Sequence, residues 1–257
     1  MTSPSRIDIW HKINIIYEDK DFLILEKPSG LIVHPDKHQK DNTLVDWVLD
    51  NYPEIKKVGE ASRQGLVHRL DKDVSGLMVI ARNKTTYQYL IGQFKAHKVK
   101  KEYLALVFGT IYPLKGVIDF SIARNKKGRL VALNSENLIA SSFQSGQQKV
   151  KNIKSAITEY QVIEKFQGFT LIKLKLLTGR THQIRLHLKA MGCPIVGDKK
   201  YSIQFFVDPE IKKRIKRIFL HACYLGFYNQ KEKWMEFKSD WPEELKEFLE
   251  ILKNKKS

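Results

Sequence analysis

The chain is poor in acids, in cysteine and in long apolar runs, and each shortage narrows what it can be. Asp and Glu number 28 against 45 Lys and Arg, a formal net charge of +17 at pH 7. A domain this basic repels itself, and the usual answer is a polyanionic partner, nucleic acid before an anionic membrane. Basic residues gather at Lys98, Lys100 and Lys101, from Lys212 to Arg217, and at Lys253, Lys255 and Lys256. The plainer alternative is a solvated, lysine-rich surface. Cys193 and Cys223 cannot form a disulfide framework and are read as reduced, buried small residues. No stretch reaches the roughly 20 apolar residues a membrane span needs. Residues Met1 to His11 lack the charged start and apolar run of a secretory signal. A cytoplasmic globular protein is expected, without a membrane partner. No P-loop, GxGxxG, CxxC or Gly-x-Ser-x-Gly pattern is present. His34 and His38 have zinc-like spacing, but Pro35 separates them and no further ligand is placed beside them. His182 and His187, five apart, fall on different faces of a helix. No metal site is expected.

What is present is enough for a sizeable core. Apolar residues make up 42% of 257, which allows one large domain or two small ones. Ile13–Tyr17 and Phe22–Leu25 read as strands around the charged turn Glu18–Asp21. Lys27-Pro28-Ser29-Gly30 breaks the pattern. Asn42-Thr43 can cap a helix through Leu44, Val45, Val48 and Leu49. Leu77–Ala81 is a buried strand, and Lys84–Ala96 a helix with Tyr87, Leu90, Ile91 and Phe94 inward. Tyr103–Phe108, Ala156–Ile163 and Phe169–Leu177 are strands. Thr181 is the candidate N-cap of a helix through Ile184, Leu188 and Met191, closed by Gly192. Asp240 or Ser239 caps a last helix with Leu245, Phe248, Leu249 and Leu252 inward. Strands and helices mix without strict alternation, so an α+β fold follows, a single domain on a mixed, largely antiparallel sheet with flanking helices. Residues 1–12 form an N-terminal extension, 13–252 the domain and 253–257 a basic tail. Residues 125–155, polar and basic with Glu136 the only acid, are expected as a mobile loop.

Two segments stand apart. Gly65-Leu66-Val67-His68-Arg69-Leu70-Asp71-Lys72-Asp73-Val74-Ser75-Gly76 packs polar side chains at the mouth of a buried strand, where a rigid scaffold can present them. Thr178-Gly179-Arg180-Thr181-His182-Gln183-Ile184-Arg185 turns a strand into a helix, and its N–H groups with Arg180 could hold an anion. Read for physics alone, each could equally be a salt-bridged turn.

These segments carry a resemblance. The first is similar to the signature of RluA-type pseudouridine synthases, His-Arg-Leu-Asp, two residues, then Thr-Ser-Gly. The second, GRTHQIRLH, resembles that family's other strong motif. Lys101-Glu102-Tyr103 looks like its Lys-x-Tyr strand. The opening IIYEDKDFLILEKPSGLIVHP, GDKKY near Asp198 and Leu220-His221-Ala222 look like the family's in the same order. The similarity runs from about Ile13 to Phe227. Two departures are Val74, where Thr is usual and a loop hydrogen bond is lost, and Ser202, which replaces a Gly.

The resemblance implies the pseudouridine synthase fold, an RNA substrate in tRNA or rRNA, no cofactor and a monomer. Many relatives carry an N-terminal S4 RNA-binding domain, and this chain is expected to belong to the branch without one. The reaction cuts uridine's N-glycosidic bond, rotates the base and rejoins it through C5. A carboxylate is needed, attacking covalently or removing a sugar proton, and the resemblance gives that role to Asp71, leaving Asp73 a structural acid. Arg180 is implied as its ionic partner. Tyr103 is expected to stack on the target uracil and to help remove the C5 proton. The base must be extruded from folded RNA, and Arg69 would fill the vacated space or grip the backbone. His68, Lys101, His182 and Arg185 complete the expected RNA-binding set.

The charge generates a prediction. With four to six phosphate contacts, log K for RNA should fall by roughly 3 to 5 units per decade of salt. Replacing Lys212, Lys213, Arg214, Lys216 and Arg217 with Gln should flatten that slope by about one unit or more if the cluster meets phosphate. Filter binding at several salt concentrations measures it. An unchanged slope would make the cluster a solvated helix face.

Overall fold

The computed structural model describes residues 9–35, 42–134, 151–201 and 209–254. His38, Ser202 and residues 135–150 of the basic segment lie outside them. The strands are β1 (Asn14–Glu18), β2 (Phe22–Lys27), β3 (Ser75–Ala81), β4 (Lys100–Phe108), β5 (Lys115–Asp119), β6 (Ser121–Arg124), β7 (Leu130–Leu133), β8 (Lys151–Lys154), β9 (Ile157–Phe166), β10 (Phe169–Leu176), β11 (Leu220–Tyr228) and β12 (Trp234–Lys238). The helices are α1 (Leu44–Asn51), α2 (Lys84–Lys95), α3 (Gln183–Ala190), α4 (Pro209–Arg214) and α5 (Glu243–Asn254). The α+β class expected from the sequence is the observed one.

The chain forms two compact units, Met1–Lys101 with His221–Asp240, and Glu102–Leu220 with Trp241–Ser257. The chain leaves the first unit after Lys101 and returns to it at His221.

In the first unit the strand order is β1-β2-β3-β11, with β12 beside β11. β1, β2 and β3 run antiparallel, whereas β3 and β11 meet in parallel. β2 and β3 are buried on nearly every position, which explains their near-continuous apolar runs. Asp19 makes the β1–β2 turn by accepting from the N–H groups of Asp21 and Phe22 at 2.8 and 2.9 Å, an Asx turn. Thr43 caps α1 in a capping box with Asp46, as its sequence implies. Asn83 caps α2 by accepting from Thr86 N at 2.9 Å. The buried face of α2 is Thr86, Leu90 and Gln93 rather than the Tyr87–Phe94 stripe. Gln93 is buried because its amide is satisfied twice, by the carbonyl and the N–H of Tyr228 at 2.7 and 2.9 Å.

In the second unit β4, β10, β9 and β5 form an antiparallel sheet in that order. β10 alternates as expected: Ile172 and Leu174 are fully buried, while Lys173 and Lys175 pair outward with Glu102 and Glu159 at 3.4 and 2.9 Å. A second sheet, β7-β6-β8, occupies part of the segment read as a loop. Residues 130–133 and 151–154 are strands: Leu130 and Ala132 pack on a cluster of Ile122, Ala156, Leu186 and Tyr201, while 151–154 are exposed and held by pairing with β6. The run Leu130–Leu133 is short and stands alone in a polar, basic segment, too little to show strand periodicity by itself. α5 buries Leu245, Phe248, Leu249 and Leu252, and Lys255 and Lys256 lie outside the described residues.

The β3–β11 junction is only two residue pairs long, His221 opposite Ser75 and Ala222 opposite Gly76. Gly76 has φ +123°, and a Cβ there would sit 2.3 Å from the Ala222 carbonyl oxygen. Gly76→Ala should therefore cost about 3 kcal/mol or more through clash and backbone strain together. Urea unfolding measures it, and a change under about 1 kcal/mol would show that the junction can open.

Candidate active site

The loop bearing Asp71 is held from below by a buried ammonium. Lys27 ends β2, is fully buried, and donates to the carbonyls of Pro28, Leu31 and Lys72 at 2.8, 2.9 and 3.0 Å. Three protons meet three carbonyls, which offsets the cost of removing a cation from water. The Lys72 carbonyl also accepts from Gly30 N at 2.9 Å, and Ser29 Oγ donates to the Asp73 carbonyl at 2.6 Å. Lys27-Pro28-Ser29-Gly30 is thus a cradle for residues 72 and 73. Val74, buried where a threonine was the usual residue, closes the turn by donating its N–H to the Asp71 carbonyl at 3.2 Å. The Asp71 side chain is half-buried at the end of this turn.

His68, assigned from the sequence to RNA, is held inside its own unit. Its Nε2 accepts from the Val79 N–H at 3.1 Å, and its ring stacks on Phe94 with centroids 4.8 Å apart. Burial, and after it the nearby Lys101 cation, lower its pKa to about 3. A neutral ring locked on a backbone donor is a structural part of the loop. Lys101 lies over the same Phe94 ring at 5.6 Å, and burial lowers its pKa too. Arg69 is exposed and donates to His34 Nε2 at 3.0 Å, while His34 Nδ1 faces the Pro35 carbonyl at 2.9 Å.

Tyr103, Arg180, His182 and Arg185 belong to the second unit. Tyr103 is buried on β4, opposite Leu174 of β10. Arg180 is placed by Gln183, a buried residue the sequence reading passed over. The Gln183 Oε1 accepts from Arg180 N at 2.9 Å and Thr178 Oγ at 2.8 Å. Its amide nitrogen donates to the Ile157 carbonyl and Thr158 Oγ, both at 3.0 Å. The Arg180 Nε donates to the Ser155 carbonyl at 3.1 Å. Thr181 is not the N-cap of α3. His182 holds that position at φ 56° with no side-chain cap, since the Gln183 amide already gathers the turn. The only signal in the sequence was a glutamine among apolar positions of α3.

His182 and Arg185 meet at Tyr201. His182 Nδ1 lies 2.7 Å from the Tyr201 hydroxyl, and the Arg185 guanidinium lies 5.0 Å from its ring centroid. Arg185, expected on RNA, is buried and forms a two-pronged ion pair with Asp198, at 2.7 and 2.8 Å. Burial raises the Asp198 carboxyl, but Arg185 and the N–H groups of Lys200 and Tyr201 outweigh it and leave the pKa below the usual value. The motifs GRTHQIRLH and GDKKY are therefore joined by a structural ion pair. Of the basic cluster at 212–217, Arg217 is likewise engaged, with Glu244 at 3.0 Å, while Lys212, Lys213, Arg214 and Lys216 are exposed.

The sheets and flanking helices define an α+β protein, with a clamped turn at Asp71 in the first unit and a Gln183-braced turn at Arg180 in the second. The chain belongs to the RNA pseudouridylate synthase family, whose model matches residues 21–190 and whose members isomerise uridine to pseudouridine in RNA. It is 38% identical over 242 residues to an uncharacterized RNA pseudouridine synthase of Aquifex aeolicus, covering 91% of this chain and 71% of that protein. It is 34% identical over 253 residues to ribosomal large subunit pseudouridine synthase D of Pseudomonas aeruginosa, covering 94% and 72%. The solved human RNA pseudouridylate synthase domain containing 1 matches with a TM-score of 0.69 at 28% identity, over 94% of this chain and 87% of that one. Among the described residues no helix is long and apolar enough to cross a membrane.

The ion pair gives a stability prediction. Arg185→Met should destabilise by about 3 to 5 kcal/mol, because Asp198 keeps a buried charge, and adding Asp198→Leu should recover most of it. The Asp198 pKa is lowered on folding, so its contribution is present above the ordinary carboxyl value, near pH 4, and is lost as pH falls through the lower folded value. Denaturant unfolding of the wild type and both variants from pH 7 to 3 measures both. A single variant as stable as wild type would make the pair an RNA contact instead.

Proposed function

We propose that Asp71 is the carboxylate that carries out the isomerisation, with Arg180 as its ionic partner and Tyr103 stacking on the uracil. The observation that carries this reading is the Asp71 turn. Its neighbours 72 and 73 are fixed by Lys27, Ser29 and Gly30, whereas the Asp71 side chain is left half exposed at the mouth of β3. A rigid backbone under an accessible carboxylate is what positioned covalent or basic catalysis requires. Arg180 is braced at its N–H and Nε, and its terminal nitrogens bond no acceptor among the described residues. That suits a guanidinium fork for a carboxylate. Arg69, exposed beside Asp71, is the proposed contact to the RNA vacated by the flipped base. His182 would lie beside bound RNA, and Lys101 would face its backbone. The substrate is proposed to be rRNA, supported by relatives named for the large ribosomal subunit, with tRNA the alternative. The protein is proposed to act as a cytoplasmic monomer.

Asp71→Asn should leave fold and RNA affinity nearly unchanged and reduce turnover to less than about one percent, because an amide is a poor nucleophile and a poor base. Release of tritium from C5-labelled uridine in RNA reads the reaction directly, and activity above that level sinks the assignment. Arg180→Lys should lower the single-turnover rate far more than affinity, since lysine lacks the planar fork. Weaker binding with the rate preserved would make Arg180 a phosphate contact.

A further inference from the structure

β3 begins at Ser75, four residues after Asp71, and there its side chain enters a chain of hydrogen bonds that ends on β2. Ser75 Oγ lies 2.9 Å from His221 Nδ1, and His221 Nε2 lies 2.9 Å from Ser239 Oγ. Ser239 Oγ lies 2.6 Å from Glu26 Oε1. Ser75 and His221 are both buried, the histidine completely. The direction of each bond follows from the last. The Glu26 carboxylate can only accept, so the Ser239 hydroxyl donates to it. The Ser239 oxygen must then accept from His221, which places a proton on Nε2. In the neutral ring Nδ1 is therefore bare, and it accepts the proton of Ser75. The 2.6 Å contact is the short, charge-assisted member that sets the sense of the others.

This chain ends on the residue next to Lys27. Successive residues of a strand point to opposite faces, and here Glu26 and Lys27 reach the same loop by two routes. Lys27 takes the carbonyl of residue 72 directly, and Glu26 takes the hydroxyl of residue 75 through Ser239 and His221. Between these anchors lie only Asp73 and Val74, and Val74 N closes back on the Asp71 carbonyl. A side-chain lock at residue 75 thus limits how far the turn bearing Asp71 can rotate about its entry into β3.

We infer that His221 is a positioning residue for Asp71, acting through Ser75, with Ser239 and Glu26 fixing the imidazole tautomer. The inference rests on the role proposed for Asp71. His221 touches no reacting atom. It restricts the backbone that carries the carboxylate, and misplacement on the scale of an ångström costs about a hundredfold in rate.

The test separates the two ends of the imidazole. His221→Asn offers its Oδ1 where Nδ1 was, keeping an acceptor for Ser75. His221→Gln keeps a donor for Ser239 and removes that acceptor. Single-turnover rates at saturating RNA and RNA dissociation constants are measured for both, for Ser75→Ala, for the His221→Gln/Ser75→Ala double variant and for Asp71→Asn. His221→Gln and Ser75→Ala should each slow the chemical step by about ten- to hundredfold with RNA affinity unchanged. The double variant should be no slower than the worse single one, because both break one contact. His221→Asn should restore most of the rate, a rescue that loss of stability alone would not produce. If His221→Gln fails to fold, Ser75→Ala reads the same contact. Wild-type single-turnover rates in Ser75→Ala and His221→Gln, with only their melting temperatures lowered, overturn the inference, as do additive losses. An active Asp71→Asn overturns the role of Asp71 itself, and that outcome is distinct from an inactive Asp71→Asn beside a fully active Ser75→Ala.

Discussion

A cation without access to water, surrounded by backbone carbonyls, underlies the first unit. The Lys27 ammonium must find acceptors to exist in the core, and it takes three of them from its own turn and the Asp71 loop. A neutral side chain at this position could leave the loop free. A lysine cannot, because releasing the Lys72 carbonyl would strand a buried charge. The energetic penalty of burial is thereby converted into loop rigidity. The Ser29 hydroxyl and Gly30 N–H, three residues away at most, add bonds that would be weak alone but are aligned by the same turn.

The second unit applies related chemistry with other residues. Gln183 gathers four partners at the strand-to-helix turn and so determines where Arg180 begins. Two residues further along α3, Arg185 and Asp198 satisfy one another in the core, with Tyr201 packed on the guanidinium. Both are cases in which a polar side chain is tolerated inside because every bond is made. The charged residues of the motifs consequently divide into two kinds. Arg185, His68 and Lys27 serve the scaffold, whereas Asp71, Arg69 and Arg180 retain the exposure that contact with a substrate needs.

Much of this was legible from residue order. The strands β2, β3, β4 and β10, the capping of α1 by Thr43 and the inward face of α5 all follow from local patterns, because period and capping depend on near neighbours. The two polar motifs also identified the loops that matter. Less legible was the purpose of each polar residue within them. His68 and Arg185 looked available because histidine and arginine usually are, and nothing local announces that a Val79 N–H or an Asp198 carboxylate is waiting. β7 and β8 were missed for a related reason. The apolar contacts of β7 are made with Leu186 and Tyr201, distant in the chain, and β8 is exposed and held by pairing with β6.

The sequence by itself determined the class of fold, the polyanionic character of the partner and the family to which the chain belongs. These depend on composition, on periodicity and on the order of short motifs, all of which are properties of a linear string. Only the tertiary structure decided which polar groups are structural. Lys27 with Lys72, His221 with Ser75 and Arg185 with Asp198 are pairs set 45, 146 and 13 residues apart. Whether a charge or hydroxyl is free depends on desolvation and on a partner's position, and both are fixed by the packed fold rather than by neighbours in the chain.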